Sequence, residues 1–239
     1  MDVLKLIEKG AKKLVPKSLR KYFRASRYEL KMQQLAPVDL IVHVGAHWAE
    51  DADVYEQYGA ETVLWVEADP TTYSKLCDVL AKRKSNTRHL TECALVSAAG
   101  GQELEFHRFN NDGASSSVYP ATETYKARFP NSRETGEVMA MQTRSLPDIL
   151  AAHGVDLTQA RRAMLVLDVQ GHEFSVLQGL DEILQQFHLC KCEVSRVPMY
   201  EGGAQFSQLD PHFRDHGFKL ISHWYALVPR HGDVLYQRM

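Results

Sequence analysis

The sequence lacks several features that would assign it to a class of protein at once. It has four cysteines in 239 residues, too few for a disulfide-stapled secreted domain. These are Cys77, Cys93, Cys190 and Cys192; their spacing matches no zinc pattern, and we expect free buried thiols. We expect no secretory signal, and no membrane span, because no run of about 18 apolar residues occurs. The sequence therefore favours a soluble, cytoplasmic globular protein.

The sequence also lacks an excess of one charge and the dinucleotide-binding glycine pattern. Its net charge of -2 gives no reason to expect a nucleic-acid partner. The turn after the first apolar segment reads His43-Val44-Gly45-Ala46-His47, followed by Ala49. A Gly-x-Gly-x-x-Gly turn would cradle a pyrophosphate. Its absence disfavours a nicotinamide-dependent dehydrogenase, the rival enzyme class for a similar sheet.

The first 36 residues differ in composition from the rest. Residues 1–31 contain ten Lys or Arg against three acids, and apolar residues recur at helical spacing. We predict a basic helical extension over residues 1–36 and one domain over residues 37–239. Two interpretations stay open for the extension: packing on the domain with a solvated basic face, or peripheral contact with an anionic membrane or a protein partner.

Apolar strand-like segments alternate with helix-like segments from residue 39 onward. The predicted strands are Asp39–Val44, Thr62–Glu67, His89–Val96, Ala163–Asp168, Leu189–Val194, Lys219–Trp224 and Val234–Gln237, with a hairpin around Gln102–Phe109 and Val138–Thr143. The predicted helices are Glu50–Tyr58, Thr71–Lys82, Leu146–His153, Glu173–Gln186 and His212–His216. This alternation predicts a doubly wound, mostly parallel α/β sheet. The long loop Asn110–Arg133 is predicted to be a lid or substrate loop.

Acidic residues end several of the predicted strands, where open α/β sheets bind ligands. Glu67 follows Gly45 by 22 residues, a position suited to accepting hydrogen bonds from ribose hydroxyls. Asp168 and Glu193 each end an apolar run, and a charge there is costly unless it is paired or faces a cleft. Two carboxylates beside one cleft could act as general bases or bind a cation.

Residues beside these acids have more than one reading. Glu92, Cys93 and Ala94 could flank an adenine ring or be ordinary strand residues. Glu173 suits a helix N-terminus, whereas His172 could be a ligand, a base or a helix cap. Asp168, His172 and Glu193 together could form a metal site, but we predict none.

The order of these elements resembles the FkbM-type methyltransferase family over roughly residues 39–239. The family pattern appears as His43–His47, Val66–Pro70, Ala94-Leu95, Ser115–Ser117, Asp168–Glu173, Glu193-Val194, Gly217-Phe218 and Gly232–Tyr236. The resemblance implies a class I, Rossmann-like fold of seven strands with the last antiparallel. It also implies transfer of a methyl group from S-adenosylmethionine, commonly to a hydroxyl of a sugar, glycan or natural product.

The resemblance further implies roles for particular residues. The cofactor-binding set is His43, Gly45, Ala46, His47, Glu67, Ala68, Asp69, Glu92, Cys93, Ala94 and Asp168. Within it, Gly45 and His47 would lie by the amino-acid end, Glu67 by the ribose and Ala94 by the adenine. The resemblance puts Asp168 near the sulfonium, and our own hypothesis for the catalytic set is Asp168 as leading base or orienting group, then Glu193 and His172. Ser115, Ser116 and Ser117 belong to the loop expected to close over the acceptor.

Two positions depart from the family pattern. His43 replaces the usual Asp of the first motif, and Ala49 replaces a glycine. A carboxylate at position 43 would attract the ammonium group of the cofactor more strongly than a neutral histidine does. These departures motivate an alternative function, that of a non-catalytic binding or scaffold protein with a methyltransferase fold.

Overall fold

The structure is a computed structural model that describes residues 31–223 and 231–239. Most of the predicted basic extension lies outside these residues; residues 31–35 are helical. Its membrane or protein contact stays a prediction. Residues 37–239 form one compact unit. None of the helices in the described part combines the length and apolar character needed to cross a bilayer.

A seven-stranded sheet lies at the centre of this unit. Its strands are β1 (Leu40–Val44), β2 (Thr62–Glu67), β3 (Arg88–Cys93), β7 (Ala163–Leu167), β8 (Leu189–Ser195), β9 (Phe218–His223) and β10 (His231–Arg238). They are arranged in the order β3-β2-β1-β7-β8-β10-β9. The pairings from β3 to β8 are parallel, and β10 runs antiparallel to β8 and β9. The predicted doubly wound, mostly parallel sheet is confirmed, and its strand order reverses between β1 and β7.

The burial of the strands explains why the strand segments are apolar runs in the sequence. Every residue of β1 and of β7 is buried, because a parallel sheet is covered on both faces. The helices are α1 (Ala52–Gln57), α2 (Pro70–Ala81), α3 (Glu123–Arg128), α4 (Leu146–Ala152), α5 (Glu173–Gln178) and α6 (Phe206–Asp215). Helix α2 begins with Pro70 at its first position and with Asp69 accepting from the main chain of Thr71, a favourable start. Helices α1 and α2 follow strands β1 and β2 directly, as βαβ units require.

The predicted strand His89–Val96 is wrong as a single element. Strand β3 ends at Cys93, and β4 (Leu95–Ser97) belongs to a second sheet in the order β4-β6-β5. The chain changes sheets at Ala94, whose main-chain N–H donates to the carbonyl of Glu67. The predicted hairpin is confirmed in this second sheet, where β5 (Glu103–Phe109) pairs antiparallel with β6 (Glu134–Ser145).

Two predicted helices have different bounds. The segment Glu173–Gln186 divides into α5 and a 3-10 helix over Asp181–Gln186. Gly179 separates them, and a Cβ there would lie 2.7 Å from the carbonyl oxygen of Ala98, so this close approach needs glycine. The helix predicted at His212–His216 begins earlier, because Gln205 and Gln208 form a capping box.

The remaining differences concern a loop, a strand end and the cysteines. The loop Asn110–Arg133 contains α3. The end of the predicted strand Lys219–Trp224 lies outside the described residues. All four cysteines are free, but only Cys190 and Cys192 are buried in the core. The expectation of buried thiols is wrong for Cys93, which is exposed, and for Cys77, which is half-buried.

Candidate active site

A cavity of about 380 Å³ lies at the carboxyl ends of β1, β2 and β7. This is the switch point where open α/β sheets bind ligands, and the volume is in the range of small-molecule sites. The structure brings many of the sequence-predicted residues to its wall: His43, Gly45, Ala46, His47, Glu67, Ala68, Ala94, Ser116, Asp168 and His172. Residues that the sequence did not single out also line it, among them Glu50, Asp51, Phe106 and Lys191.

Gly45 fixes the turn that forms one wall of the cavity. Its φ is +82°, and a Cβ at this position would lie 1.9 Å from the main-chain oxygen of Asp168. The main-chain N–H groups of Gly45 and Ala46 donate to the carbonyl of Val66, at 2.9 and 3.1 Å. The ends of β1, β2 and β7 are thus tied together through one residue without a side chain.

Glu67 presents a buried carboxyl group, which is 8% exposed. Its Oε2 accepts from the His47 main-chain N–H at 2.9 Å, and its Oε1 accepts from the Asp69 main-chain N–H at 2.9 Å. Burial raises the pKa of Glu67 to about 7, although both main-chain donors favour the ionised form. A carboxylate has about four lone-pair sites, so each oxygen retains capacity for a further donor such as a ribose hydroxyl.

His47 connects the Gly45 turn with the long loop. Its Nδ1 lies 2.5 Å from Glu50 Oε1, and its Nε2 lies 3.2 Å from the main-chain oxygen of Asp112. Burial alone would lower the pKa of His47, but the carboxylate of Glu50 outweighs it and the pKa is raised. The imidazole therefore fastens the loop over this side of the cavity.

The loop serines have different surroundings. Ser116 lines the cavity, and its Oγ accepts from the main-chain N–H of Phe109. Ser115 and Ser117 do not line it. Ser115 Oγ accepts from Asn111 Nδ2 at 2.8 Å, and Ser117 Oγ donates to the Gln170 carbonyl at 2.7 Å. These two hydroxyls stabilise the loop, whereas acceptor contact stays a prediction for all three.

Asp168 shares one amide group with Glu193. Gln170 Nε2 donates to Asp168 Oδ1 at 2.5 Å and to Glu193 Oε2 at 3.1 Å. Tyr200 donates its hydroxyl to Gln170 Oε1 at 2.7 Å, which orients the amide nitrogen toward the two acids. Burial, and then the charge of Glu193, raise the pKa of Asp168 well above its ordinary value. Asp168 is therefore a stronger base than a solvated carboxylate.

Glu193 lies behind Asp168 rather than in the main cavity. It lines a second, much smaller cavity together with Tyr200 and His231. Its Oε1 lies 3.1 Å from His231 Nε2. Burial, followed by the charges of Asp233 and Glu173, raises the pKa of Glu193 to about 8. Its position favours an influence on Asp168 through Gln170.

His172 and Glu173 are both buried at the start of α5. His172 Nδ1 lies 3.3 Å from the Tyr119 hydroxyl, and its Nε2 lies 3.1 Å from Ser97 Oγ. Burial lowers the pKa of His172 to about 4, so the ring is neutral. Glu173 Oε1 accepts from the main chain of Val169 and Gly171, as an acid at a helix N-terminus does.

Three residues of the predicted cofactor set lie outside the cavity wall. Asp69 caps α2, and its Oδ2 accepts from Arg108 Nε at 2.8 Å. Glu92 pairs with Arg144 and with His153, and Cys93 is exposed. Across residues 31–223 and 231–239, no three His, Cys, Asp or Glu side chains form a group that could hold a metal ion. The expectation that Asp168, His172 and Glu193 bind no metal stays a prediction.

The residues that sequence reasoning missed divide into two kinds. Glu50 and Asp51 follow the Gly45 turn directly, and that proximity was a usable signal. Lys191 reaches the cavity from β8 because His43, Val166 and Lys191 pair laterally across three strands. That register is a property of the folded sheet, and a single sequence does not contain it.

Comparison with known proteins places the chain among methyltransferases. A family model described as the methyltransferase FkbM domain matches residues 39–220. No curated protein matches the chain.

Three similar solved structures have low sequence identity. The CcbJ methyltransferase from Streptomyces caelestis is 9% identical, with a TM-score of 0.47 over 90% of this chain and 96% of that one. A protein of the NADB-Rossmann superfamily from Streptococcus agalactiae is 7% identical, with a TM-score of 0.46 over 89% and 68%. The precorrin-6y C5,15-methyltransferase from Geobacter metallireducens is 13% identical, with a TM-score of 0.44 over 96% and 93%.

Proposed function

Because the chain belongs to the methyltransferase FkbM domain family, we propose that it methylates a hydroxyl group of a sugar, glycan or natural product. Its methyl donor is S-adenosylmethionine. The observation that carries the choice of a hydroxyl acceptor is the Asp168 carboxyl group, which lines the cavity with a raised pKa. A hydroxyl must lose a proton on methylation, and a carboxylate of raised pKa is suited to take it.

The cavity fits the methyl donor in its chemistry. Glu67 retains acceptor capacity for the ribose hydroxyls, and the Gly45 turn leaves the strand ends open to a ligand. Ala68, Ala94 and Phe106 supply small or apolar surface on the cavity wall, against which an adenine ring would be held. When bound, S-adenosylmethionine supplies a methyl group on a positively charged sulfur.

Three groups of this chain prepare the acceptor hydroxyl. Asp168 accepts the proton of the acceptor hydroxyl at a carboxylate oxygen. The O–H bond breaks, and its electron pair stays on the acceptor oxygen. Gln170 holds the carboxylate in place through its amide nitrogen, which Tyr200 orients. Gly113, Ala114, Ser116 and Val118 of the loop contribute to the cavity wall and exclude water from the reacting groups. Alignment of reactants in such a site supplies about 7–11 kcal/mol of barrier reduction.

The test is transfer of labelled methyl from S-adenosylmethionine to a panel of saccharide and natural-product hydroxyls, each paired with its deoxy analogue. Asp168→Asn should lower turnover by about 10²–10⁴-fold and weaken S-adenosylhomocysteine binding far less. Asp78→Asn, on the exposed side of α2, is the matched control and should retain full turnover.

Several results would count against the proposal. Unchanged turnover in Asp168→Asn would remove Asp168 from the reaction. Equal methylation of an acceptor and of its deoxy analogue would exclude the hydroxyl as the methylated group. Binding of S-adenosylhomocysteine without transfer to any acceptor would favour the scaffold alternative, which His43 and Ala49 motivate.

A further inference from the structure

Two side chains of opposite charge line the cavity on the β8 side of β1. Asp51 precedes α1, and Lys191 projects from β8. Lys191 Nζ lies 3.8 Å from Asp51 Oδ2 and 3.7 Å from Asp233 Oδ2. The Lys191 side chain is 20% exposed and that of Asp51 is 39% exposed, so a ligand in the cavity can reach both. This end of the cavity therefore offers one cation and one anion close together.

The histidine at the end of β1 is engaged elsewhere. His43 is 7% exposed, and its Nδ1 lies 3.0 Å from the Tyr55 hydroxyl. Tyr55 in turn donates to Asp51 Oδ2 at 3.3 Å. His43 is neutral because burial lowers its pKa to about 4. Asp51 therefore adds a negative charge to this wall on the far side of Tyr55 from the strand, and its neighbour Glu50 pairs with His47.

The opposite end of the cavity is apolar. Ala94 follows β3, Leu95, Val96 and Phe106 of the second sheet add apolar surface to the cavity wall, and Glu67 ends β2 between β3 and β1. Along the strand order the wall passes from Ala94 after β3, through the carboxyls of Glu67 at the end of β2 and Asp168 after β7, to Lys191 of β8 beside Asp51. An elongated ligand with an aromatic base, a sugar diol and a zwitterionic amino acid, in that order, would match this sequence of surfaces.

We propose that Asp51 and Lys191 hold the amino-acid end of S-adenosylmethionine, Asp51 binding its ammonium group and Lys191 its carboxylate. The inference rests on the proposed methyltransferase function. A zwitterion placed between the two side chains keeps every charge paired, because each residue exchanges its contact with the other for a contact with the ligand. This arrangement supplies at position 51 the negative charge that position 43 lacks.

The test compares two nucleosides by titration calorimetry. S-Adenosylhomocysteine has the zwitterionic end, whereas 5′-methylthioadenosine retains the adenosine and the sulfur but lacks the amino acid. The wild-type protein should bind S-adenosylhomocysteine more tightly. Asp51→Asn and Lys191→Met should each weaken S-adenosylhomocysteine binding by about tenfold or more, with 5′-methylthioadenosine binding unchanged.

Matched controls separate charge in the cavity from charge on the surface. Asp53→Asn removes an acid from the first turn of α1, where it pairs with Arg83, and Lys126→Met removes an exposed lysine of α3. Both should bind the two nucleosides as the wild type does. Lys191→Arg retains the cation and should keep most of the preference for S-adenosylhomocysteine. If Asp51→Asn folds poorly, the comparison of Lys191→Met with Lys191→Arg still tests the inference.

The outcomes distinguish this inference from the function on which it rests. Wild-type protein that binds neither nucleoside would overturn the methyltransferase function and the inference together. Wild-type protein that prefers S-adenosylhomocysteine, with the same preference in Asp51→Asn and Lys191→Met, would overturn the inference alone. Equally weakened binding of both nucleosides in the variants would also overturn it, since that pattern indicates that Asp51 and Lys191 have a general structural role.

Discussion

The carboxyl groups at the two halves of the cavity are stabilised in different ways. At the end of β2, Glu67 accepts from two main-chain N–H groups that belong to fixed turns. After β7, Asp168 shares the single amide nitrogen of Gln170 with Glu193 of β8, and the charge of Glu193 raises the pKa of Asp168. The first arrangement holds its geometry through the backbone, whereas the second depends on side chains and retains unfavourable charge.

This difference separates a binding group from a reacting group. Main-chain donors cannot move far without unfolding, so Glu67 is suited to hold a ligand in one position. Crowded acids are held at a pKa nearer neutrality, and such a group can accept a proton during turnover. Gly45 joins the two halves, because its turn contacts the main chain of Asp168.

The largest effect is expected where the two halves meet. Gly45→Ala would add a Cβ 1.9 Å from the Asp168 main-chain oxygen, at a φ of +82°. The left-handed backbone costs roughly 1–2 kcal/mol, and overpacking adds about 1–3 kcal/mol. The free energy of unfolding, measured by urea denaturation, should fall by an amount in this combined range. Gly101→Ala is the control, because its φ is +78° but nothing lies within 4 Å, and only the backbone cost applies. Equal losses in the two variants would show that the contact between the halves is unimportant.

A smaller effect is expected from changing the shared amide. Gln170→Glu would replace the donor between Asp168 and Glu193 with a third acid and raise the pKa of Asp168 further. Turnover at pH 7 should fall by about 10–100-fold, and the midpoint of the pH–rate profile should move to higher pH. Gln142→Glu removes a similar amide–carboxylate bond, from Glu103, outside the cavity and should leave the profile unchanged. An unshifted profile in Gln170→Glu would contradict the shared-amide arrangement.

The smallest effect concerns Glu67 and pH. Its pKa is raised to about 7 in the folded protein, so the carboxylate that accepts ribose hydroxyls is present mainly above that pH. S-Adenosylhomocysteine affinity should therefore increase from pH 6 to pH 8. The folded protein also retains a proton that the unfolded chain releases near its ordinary pKa of 4.5, so the contribution of Glu67 to stability falls as pH rises through 7.

Glu67→Gln tests both consequences. It should weaken binding by about tenfold at pH 8, with a smaller loss at pH 6, because only the ionised form is a strong acceptor. Glu61→Gln, at the exposed start of β2 where Glu61 pairs with Arg161, is the control. A wild-type affinity that does not change with pH would contradict the raised pKa as the source of the effect.

Sequence reasoning was most successful for the buried strands and least successful where the chain turns. The bounds of β2 were predicted without error because Thr62–Glu67 is an apolar run between clear turn signals. The division of His89–Val96 between two sheets was missed, since an apolar segment does not show which partner strand it joins. The end of α5 at Gln178 was missed because Gly179 is required by contact with Ala98, a residue distant in sequence.

The site residues show the same difference between features visible in a local segment and features that depend on distant contacts. Glu67 and Asp168 were predicted because acids that end apolar runs are conspicuous in a sequence, and both line the cavity. Lys191 was not found, because its approach to Asp51 depends on the lateral pairing of β1, β7 and β8. Glu92 was included among the cofactor residues, but its pairing with Arg144 and His153 directs it away from the cavity.

The sequence by itself determined the order of strands and helices, the acids at strand ends and the family, because these depend on local composition and spacing. Only the tertiary structure decided which acids share a donor, which lie behind the cavity and which charge partners reach it from distant strands. The physical reason is that burial and hydrogen-bond partners set the state of an ionisable group, and both arise from residues far apart in the chain.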